Sequence, residues 1–214
     1  MLHPKIDTVV FDLGGVLVDW NPRSLYRKLL STEEQVEWFL AHVCTMDWNE
    51  RQDEGRTIAE AETELLQRFP EYTDQIRAFY GRFPEMFGGA IEETVAVLEE
   101  LHQRGTPLFA LTNWSAEKFP WARQAFPFFG RFRQIVVSGE VGLKKPDPRI
   151  FELLIERTKV QPHRTLYIDD RLDNTETARS LGFSTHHFQS PPALKEHLLT
   201  LGFLSGSEKG SPRR

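Results

Sequence analysis

Three aspartates, Asp12, Asp169 and Asp170, carry the first chemical argument in this sequence. Asp12 follows the apolar run at residues 6–11 (IDTVVF), and the Asp169-Asp170 pair follows residues 165–168 (TLYI). A short apolar run that stops at a carboxylate reads as a buried strand presenting that carboxylate at its carboxyl end. One such aspartate can simply cap the helix that follows. Three of them, brought together, would repel one another unless a cation lay between, and oxygen ligands with room for water suit Mg²⁺.

Polar residues of a second kind accompany them. Residues 107–112 (PLFALT) end in Thr112, and Asn113 follows; a hydroxyl, an amide and exposed N–H groups there could all serve a phosphoryl oxygen. Lys144 and Lys145 stand before Pro146-Asp147, in a loop where a lysine can act as a point charge toward phosphate. Gly14 and Gly15, directly after Asp12, give a backbone able to wrap a small anion or a metal ion.

These residues need elements to position them. Leu25, Leu29, Val36, Phe39, Leu40 and Val43 recur at helical spacing across residues 22–44, with a break at residues 31–34 (STEE). Residues 57–60 (TIAE) form a capping-box pattern ahead of a helix carrying Ile58, Ala61, Leu65, Leu66 and Phe69. A further helix is read at residues 73–83. Between about residues 20 and 90 the pattern contains no strand, and Phe87-Gly88-Gly89 reads as a flexible return point.

Beyond residue 90 the rhythm changes. A helix from Ile91 ends at Gly105, and the strand at 107–112 follows, with Ser115 as the cap of the next helix. A strand at 134–138, a helix opened by Asp147-Pro148, the strand at 165–168, a helix ending at Leu181-Gly182, a strand at 184–188 and a helix at 191–201 complete the series. Short apolar strands alternating with amphipathic helices predict an α/β fold, a doubly wound, Rossmann-like parallel sheet, with an inserted helical subdomain. Residues 1–19 and 88–203 are assigned to the core, 20–87 to the insert and 204–214 to a disordered tail. Ligands of such sheets sit at the carboxyl ends of the strands, where all the polar residues above would converge.

Composition narrows the partners. With 26 Lys+Arg against 31 Asp+Glu the net charge is -5, so no general basic field draws the chain to nucleic acid or to an anionic membrane. Phosphate recognition would have to be local. A single cysteine, Cys44, excludes an internal disulfide, and no apolar run approaches the roughly 20 residues that cross a bilayer. A cytoplasmic protein acting on a small molecule, as a monomer or homodimer, is the expectation.

Four stretches in order, FDLGGVLVD at 11–19, ALTNWS at 110–115, GLKKPDPRIF at 142–151 and YIDDRLDNTETA at 167–178, resemble the haloacid dehalogenase superfamily. The resemblance runs from about residue 6 to 203, and the helical insert resembles the superfamily's small cap, which closes over substrate. It implies that Asp12 is a nucleophile forming an aspartyl-phosphate that water hydrolyses. It further implies that Thr112 and Lys145 hold the transferring phosphoryl group, with Asn113 beside them and Lys144 the weaker candidate. Asp12, Asp170, the Gly14 carbonyl and, directly or through water, Asp169 would hold Mg²⁺.

One position departs from the pattern. Most phosphatases of the superfamily carry a second aspartate two residues after the nucleophile, as general acid and base; here that residue is Gly14. Losing such a group costs roughly two to four orders of magnitude in rate if nothing substitutes. The glycine resembles a branch that includes glucose-1-phosphate phosphatases, whose anomeric leaving group depends less on protonation. Asp19, His42 and Asp53 are the groups that could substitute. Trp20 and Trp48 read either as packing or as a sugar-stacking cleft, and His186-His187 as structural. The expected function is a Mg²⁺-dependent phosphatase of a small phosphomonoester, a sugar phosphate. The alternatives are a 2-haloacid dehalogenase using the same Asp12 and a catalytically weak binding or regulatory module.

Overall fold

Alternation along the first strand sets the layers of the molecule: Val9 and Phe11 pack into one apolar cluster, and Val10 between them packs into another. A strand buried on both faces needs helices on both faces. The computed structural model describes residues 5–205 and contains such a sheet. Its strands, with two others, are β1 (Thr8–Phe11), β2 (Val18–Trp20), β3 (Phe87–Ala90), β4 (Leu108–Thr112), β5 (Gln134–Val137), β6 (Thr165–Asp169) and β7 (Ser184–His187). Five are parallel in the order β5-β4-β1-β6-β7. Residues Leu98, Leu101, Leu194 and Leu198 of helices Glu92–Gln103 and Pro191–Thr200 join the Val9/Phe11 cluster. Ile150, Phe151 and Leu154 of helix Pro148–Thr158, with Ala178 of helix Leu172–Ser180, join Val10 on the other side.

The chain runs outward from β1 through β4 to β5, then returns across the sheet to β6 and β7. The order therefore reverses at β1, and the crevice beyond its carboxyl end is where an open α/β sheet binds ligands.

Between β2 and β3 lie the helices Arg23–Tyr26, Glu33–His42, Met46–Glu50, Ile58–Arg68 and Thr73–Gly81. Thr57 and Glu60 form the expected capping box, Thr57 accepting from the Glu60 N–H and Glu60 accepting from the Thr57 N–H. Helices 23–26 and 33–42 are separate, because Thr32 caps the second one through the Gln35 N–H. Trp48, 2% exposed, donates its indole N–H to the Ala61 carbonyl at 3.1 Å and meets Phe79 edge-on. It holds two helices of the insert together and is not among the residues that line the cavity beyond the strand ends.

Four expectations need correction. The stretch around residues 20 and 90 does contain strands: β2 and β3 pair antiparallel, Val18 with Ala90 and Trp20 with Phe87, and so tie the two ends of the insert together. Sequence pattern missed them because β2 is three residues long and β3 reads FGGA, neither showing apolar alternation. Gly88 and Gly89 are a fixed part of this ribbon: a Cβ on Gly88 would collide with the Asp19 carboxylate, and Gly89 has φ +110. Ser115 caps no helix, since helix Phe119–Ala125 starts later, with Pro120 in its first turn. The tail assigned from residue 204 loses its first member, because Leu204 is buried beside Phe203; residues 206–214 lie outside the described residues.

Candidate active site

Strand register assembles the site. Phe11 is level with Ile168 on β6 and Ala110 on β4, so the next residue out, Asp12, lies beside Asp169, and Thr112 ends the strand on its other side. The Asp12 N–H donates to the Ile168 carbonyl at 2.8 Å, which carries the ladder one residue further. Asp12 is 7% exposed; its Oδ1 accepts from the Leu13 N–H at 2.7 Å and lies 2.9 Å from Lys145 Nζ. Burial pushes this carboxyl up, to about 7; Lys145 opposes the shift, while Asp169 and Asp170 add to it.

Lys145 is 2% exposed and spans the two carboxylates. Its Nζ donates to Asp169 Oδ2 at 2.7 Å and to the Leu111 carbonyl at 3.0 Å, besides contacting Asp12. Burial works against the ammonium, but Asp12 and Asp169 outweigh it and raise its pKa, so the lysine stays charged. Asn113 fixes the loop that delivers it: Asn113 Oδ1 accepts from the Lys145 N–H at 2.8 Å, and Asn113 Nδ2 donates to the Lys145 carbonyl at 3.0 Å. The neighbouring Lys144 points the other way, to Glu50 of the insert at 2.9 Å.

Asp169 is saturated. Its Oδ2 accepts from Lys145 and from the Tyr167 hydroxyl at 2.5 Å, and its Oδ1 from the Arg171 N–H and Asn174 Nδ2, both at 2.9 Å. Two bonds at each oxygen fill a carboxylate's acceptor sites. Asp170 instead lines a cavity, its carboxyl pushed up first by desolvation and then by Asp169. Gly15, at φ +72, passes so close that a Cβ would collide with the Asp170 carboxylate. His187 Nε2, 2.9 Å from the Asp170 carbonyl, steadies the same residue from β7.

The cavity, of about 240 Å³, opens between the strand ends and the insert. Asp12, Gly14, Lys145 and Asp170 form its floor; Trp20, Met46, Tyr80, Phe83, Phe87 and Trp114 supply apolar wall. Asn49, Glu50 and Asp53 reach it from the insert, and Asn113 and Ser115 from the loop after β4. Thr112 is 1% exposed at the end of β4 and lies beneath this lining. Asp19 turns onto Gly88, and exposed His42 stacks on Trp38, so neither joins the cavity. His186 packs its Nδ1 against that of His197 at 2.9 Å, with burial lowering its pKa to about 4.

Three contributors were invisible as functional residues in the sequence. Tyr167 and Asn174 saturate Asp169, and Glu50 is gripped by both Lys144 and Arg171, at 2.9 and 3.1 Å, which clasps the insert to the core. Tyr167 and Asn174 lie within the 167–178 stretch, Asn174 spaced to face Asp169 from the first turn of its helix; nothing local marks Glu50.

The donor set fits a hard divalent cation. One ligand atom each from Asp12, Asp169 and Asp170 lie within 4.8 Å of one another, all of them oxygens. The Gly14 carbonyl receives no backbone N–H among the described residues, and buried Asn174 Oδ1 has no hydrogen-bond donor. Both are acceptors of the kind that an ion or its water shell would complete.

A family model for haloacid dehalogenase-like hydrolases matches residues 6–182. The chain belongs to this family. Among relatives of these hydrolases, a sesquiterpene phosphatase of Aspergillus oryzae is 23% identical over 189 residues, covering 83% of this chain and 87% of its own. A D-ribitol-5-phosphate phosphatase of Bacteroides thetaiotaomicron is 22% identical over 191 residues, covering 84% and 90%. A solved structure of a family enzyme from Bacteroides thetaiotaomicron, in complex with magnesium and inorganic phosphate, superposes with TM-score 0.67 at 23% identity over 86% of this chain and 94% of that one. The fold is thus that of the family. Among the described residues no helix is long and apolar enough to cross a membrane.

Proposed function

We propose that this hydrolase is a Mg²⁺-dependent phosphatase that removes phosphate from a small phosphorylated metabolite through an aspartyl-phosphate on Asp12. The observation that carries the reading is the buried Lys145 ammonium held between Asp12 and Asp169 at the floor of a cavity that Asp170 also lines. A carboxylate cannot easily approach a phosphate dianion; a lysine and a divalent ion beside it lower that repulsion and hold the oxygens in line.

Asp12 Oδ1 is engaged by Leu13 and Lys145, which leaves Oδ2 without a donor among the described residues and free to attack phosphorus. Asp12, Asp170 and the Gly14 carbonyl would hold Mg²⁺, which supplies charge neutralisation of the phosphoryl oxygens. Asp169, already accepting four hydrogen bonds, serves to fix Lys145 and leaves the direct contacts with the ion to the other three. Asn113 positions Lys145 and, with Ser115, offers polar groups to the phosphoryl end.

For the alcohol portion we infer a sugar phosphate, for which Asn49, Asp53 and Ser115 provide partners beside the aromatic faces of Trp20 and Tyr80. The apolar wall of Met46, Phe83, Phe87 and Trp114 favours a second reading, the phosphate ester of an apolar alcohol. The relatives acting on ribitol phosphate and on sesquiterpenes illustrate the two cases.

One panel tests all of this: phosphate release from sugar phosphates, a prenyl phosphate and an aryl phosphate, with Mg²⁺ or chelator, for the wild type and Asp12→Asn. We expect release that needs Mg²⁺ and that falls by at least about a thousandfold in the variant, as removal of a nucleophile does. Metal-independent release, or full activity in Asp12→Asn, defeats the mechanism. Chloride release from 2-chloropropionate would mark a dehalogenase instead.

A further inference from the structure

The chemistry proposed above lacks one group. When the bond from phosphorus to an alkyl oxygen breaks, the departing alkoxide is strongly basic and needs a proton, and Gly14 stands where the family usually has the acid that supplies it. We propose, on that phosphatase reading, that Asp53 of the helical insert is the general acid and base of the reaction.

Its placement singles it out. Of the three groups raised by the sequence, only Asp53 lines the cavity that contains Asp12. It is 9% exposed, and its carboxyl makes no hydrogen bond or ion pair among the described residues. Glu50, the other carboxyl of the insert on this cavity, is occupied: burial works against its charge, but Lys144 and Arg171 outweigh that and hold it below the usual carboxylate range, ionised. Tyr80 has its hydroxyl proton committed to Asn49 Oδ1 at 2.9 Å.

The surroundings keep Asp53 protonated. Burial pushes its carboxyl up to about 8, with Glu50 and Glu54 adding to the shift and Lys144 and Lys145 opposing it; Tyr80 is the remaining titratable group facing it. A carboxylic acid that still carries its proton at neutral pH can donate it to a leaving group. The turn that bears it is braced. Arg56 Nε donates to Gln52 Oε1 at 2.8 Å, Arg56 also reaches the Trp48 carbonyl, and Gln52 Nε2 donates to Tyr80 at 2.8 Å.

The step balances. As Asp12 attacks, the bond from phosphorus to the ester oxygen breaks, and that oxygen takes the Asp53 proton and leaves as the alcohol, with Asp53 now a carboxylate. The carboxylate then accepts a proton from the water that attacks the aspartyl-phosphate, releasing phosphate, the Asp12 carboxylate and protonated Asp53.

The test compares Asp53→Asn with the wild type on p-nitrophenyl phosphate, whose leaving group needs no proton, and on the fastest alkyl phosphate of the panel. We expect kcat on the alkyl ester to fall by roughly 100- to 10,000-fold, and by at least tenfold more than on the aryl ester. In the wild type, alkyl-ester kcat declines as pH rises through about 8, and this limb disappears in the variant. A reading independent of turnover is stability: an acid kept protonated by the fold destabilises it progressively as pH rises above the ordinary carboxyl value. The unfolding midpoint of Asp53→Asn should therefore gain on the wild type between pH 5 and 9, a range chosen to straddle about 8. Equal losses on both esters, or a stability difference that ignores pH, would overturn the role. A wild type that hydrolyses the aryl ester but no alkyl ester would also overturn it, leaving the phosphatase reading intact; hydrolysis of neither defeats that reading itself.

Discussion

Lys145→Met removes the one buried cation that joins Asp12 to Asp169 while keeping an apolar chain of similar length. Two of the ammonium's interactions are ion pairs, at 2.9 Å to Asp12 and 2.7 Å to Asp169, and the third, at 3.0 Å, goes to the neutral Leu111 carbonyl. Hydrogen bonds to charged groups contribute about 1.5–3 kcal/mol each. All three share a single nitrogen, so they are coupled and do not add. Breaking a buried pair from one side typically destabilises by about 3–5 kcal/mol, because the partner charge stays behind in a poor solvent.

The sign of the pH dependence follows. Lys145 is the main influence holding the Asp12 carboxyl down against burial, so its loss moves that carboxyl still further up. A carboxyl raised in the fold binds protons that the unfolded chain releases, and stability then falls as pH rises from the unfolded value, about 3.9, toward the folded one. The expected outcome in chelator is a deficit of about 3–5 kcal/mol at pH 8 that shrinks by more than about 1 kcal/mol at pH 5. Urea unfolding at both pH values measures it. A deficit under about 1 kcal/mol, or one equal at the two pH values, would refute the account of Lys145 as the charge that makes these buried carboxylates tolerable.

Two further substitutions probe the surroundings. Gly15→Ala forces a side chain into a backbone at φ +72 and against the Asp170 carboxylate; Mg²⁺ affinity by titration calorimetry should weaken about 10- to 100-fold, and an unchanged Kd would remove Asp170 from the proposed ligand set. Glu50→Gln loosens the clasp to Lys144 and Arg171. Such half-buried pairs are worth about 1 kcal/mol, so we expect a several-fold rise in KM and faster proteolysis within residues 51–57. The carboxyl of Glu50 is held low by its partners, so its contribution is present above about 4.3 and is lost as pH falls through its folded value. A difference between wild type and variant that persists in acid would count against the clasp.

Local sequence determined much of this protein. Runs such as TVVF and TLYID are apolar on both faces and bounded by polar residues, which marks a parallel sheet; Asp12, Thr112, Asn113, Asp169 and Asp170 follow at the strand ends because chain order alone puts them there. The Thr57–Glu60 capping box and the Asp147-Pro148 helix start are legible for the same reason, since capping acts within one helical turn. Tertiary structure decided what depends on residues far apart in the chain. The β2–β3 ribbon pairs residues some seventy positions apart, with too few side chains in either strand to show a period. Only folding separates the roles of neighbours: Lys145 turns in to the carboxylates and Lys144 out to Glu50, while Asp169 is filled by Tyr167, Asn174 and Lys145 and Asp170 is left facing the cavity. Asp19, His42 and Asp53 were equal candidates as letters. Burial and direction distinguish them, because a carboxyl holds its proton through the loss of solvent and the charges around it, and neither is written in its sequence neighbours.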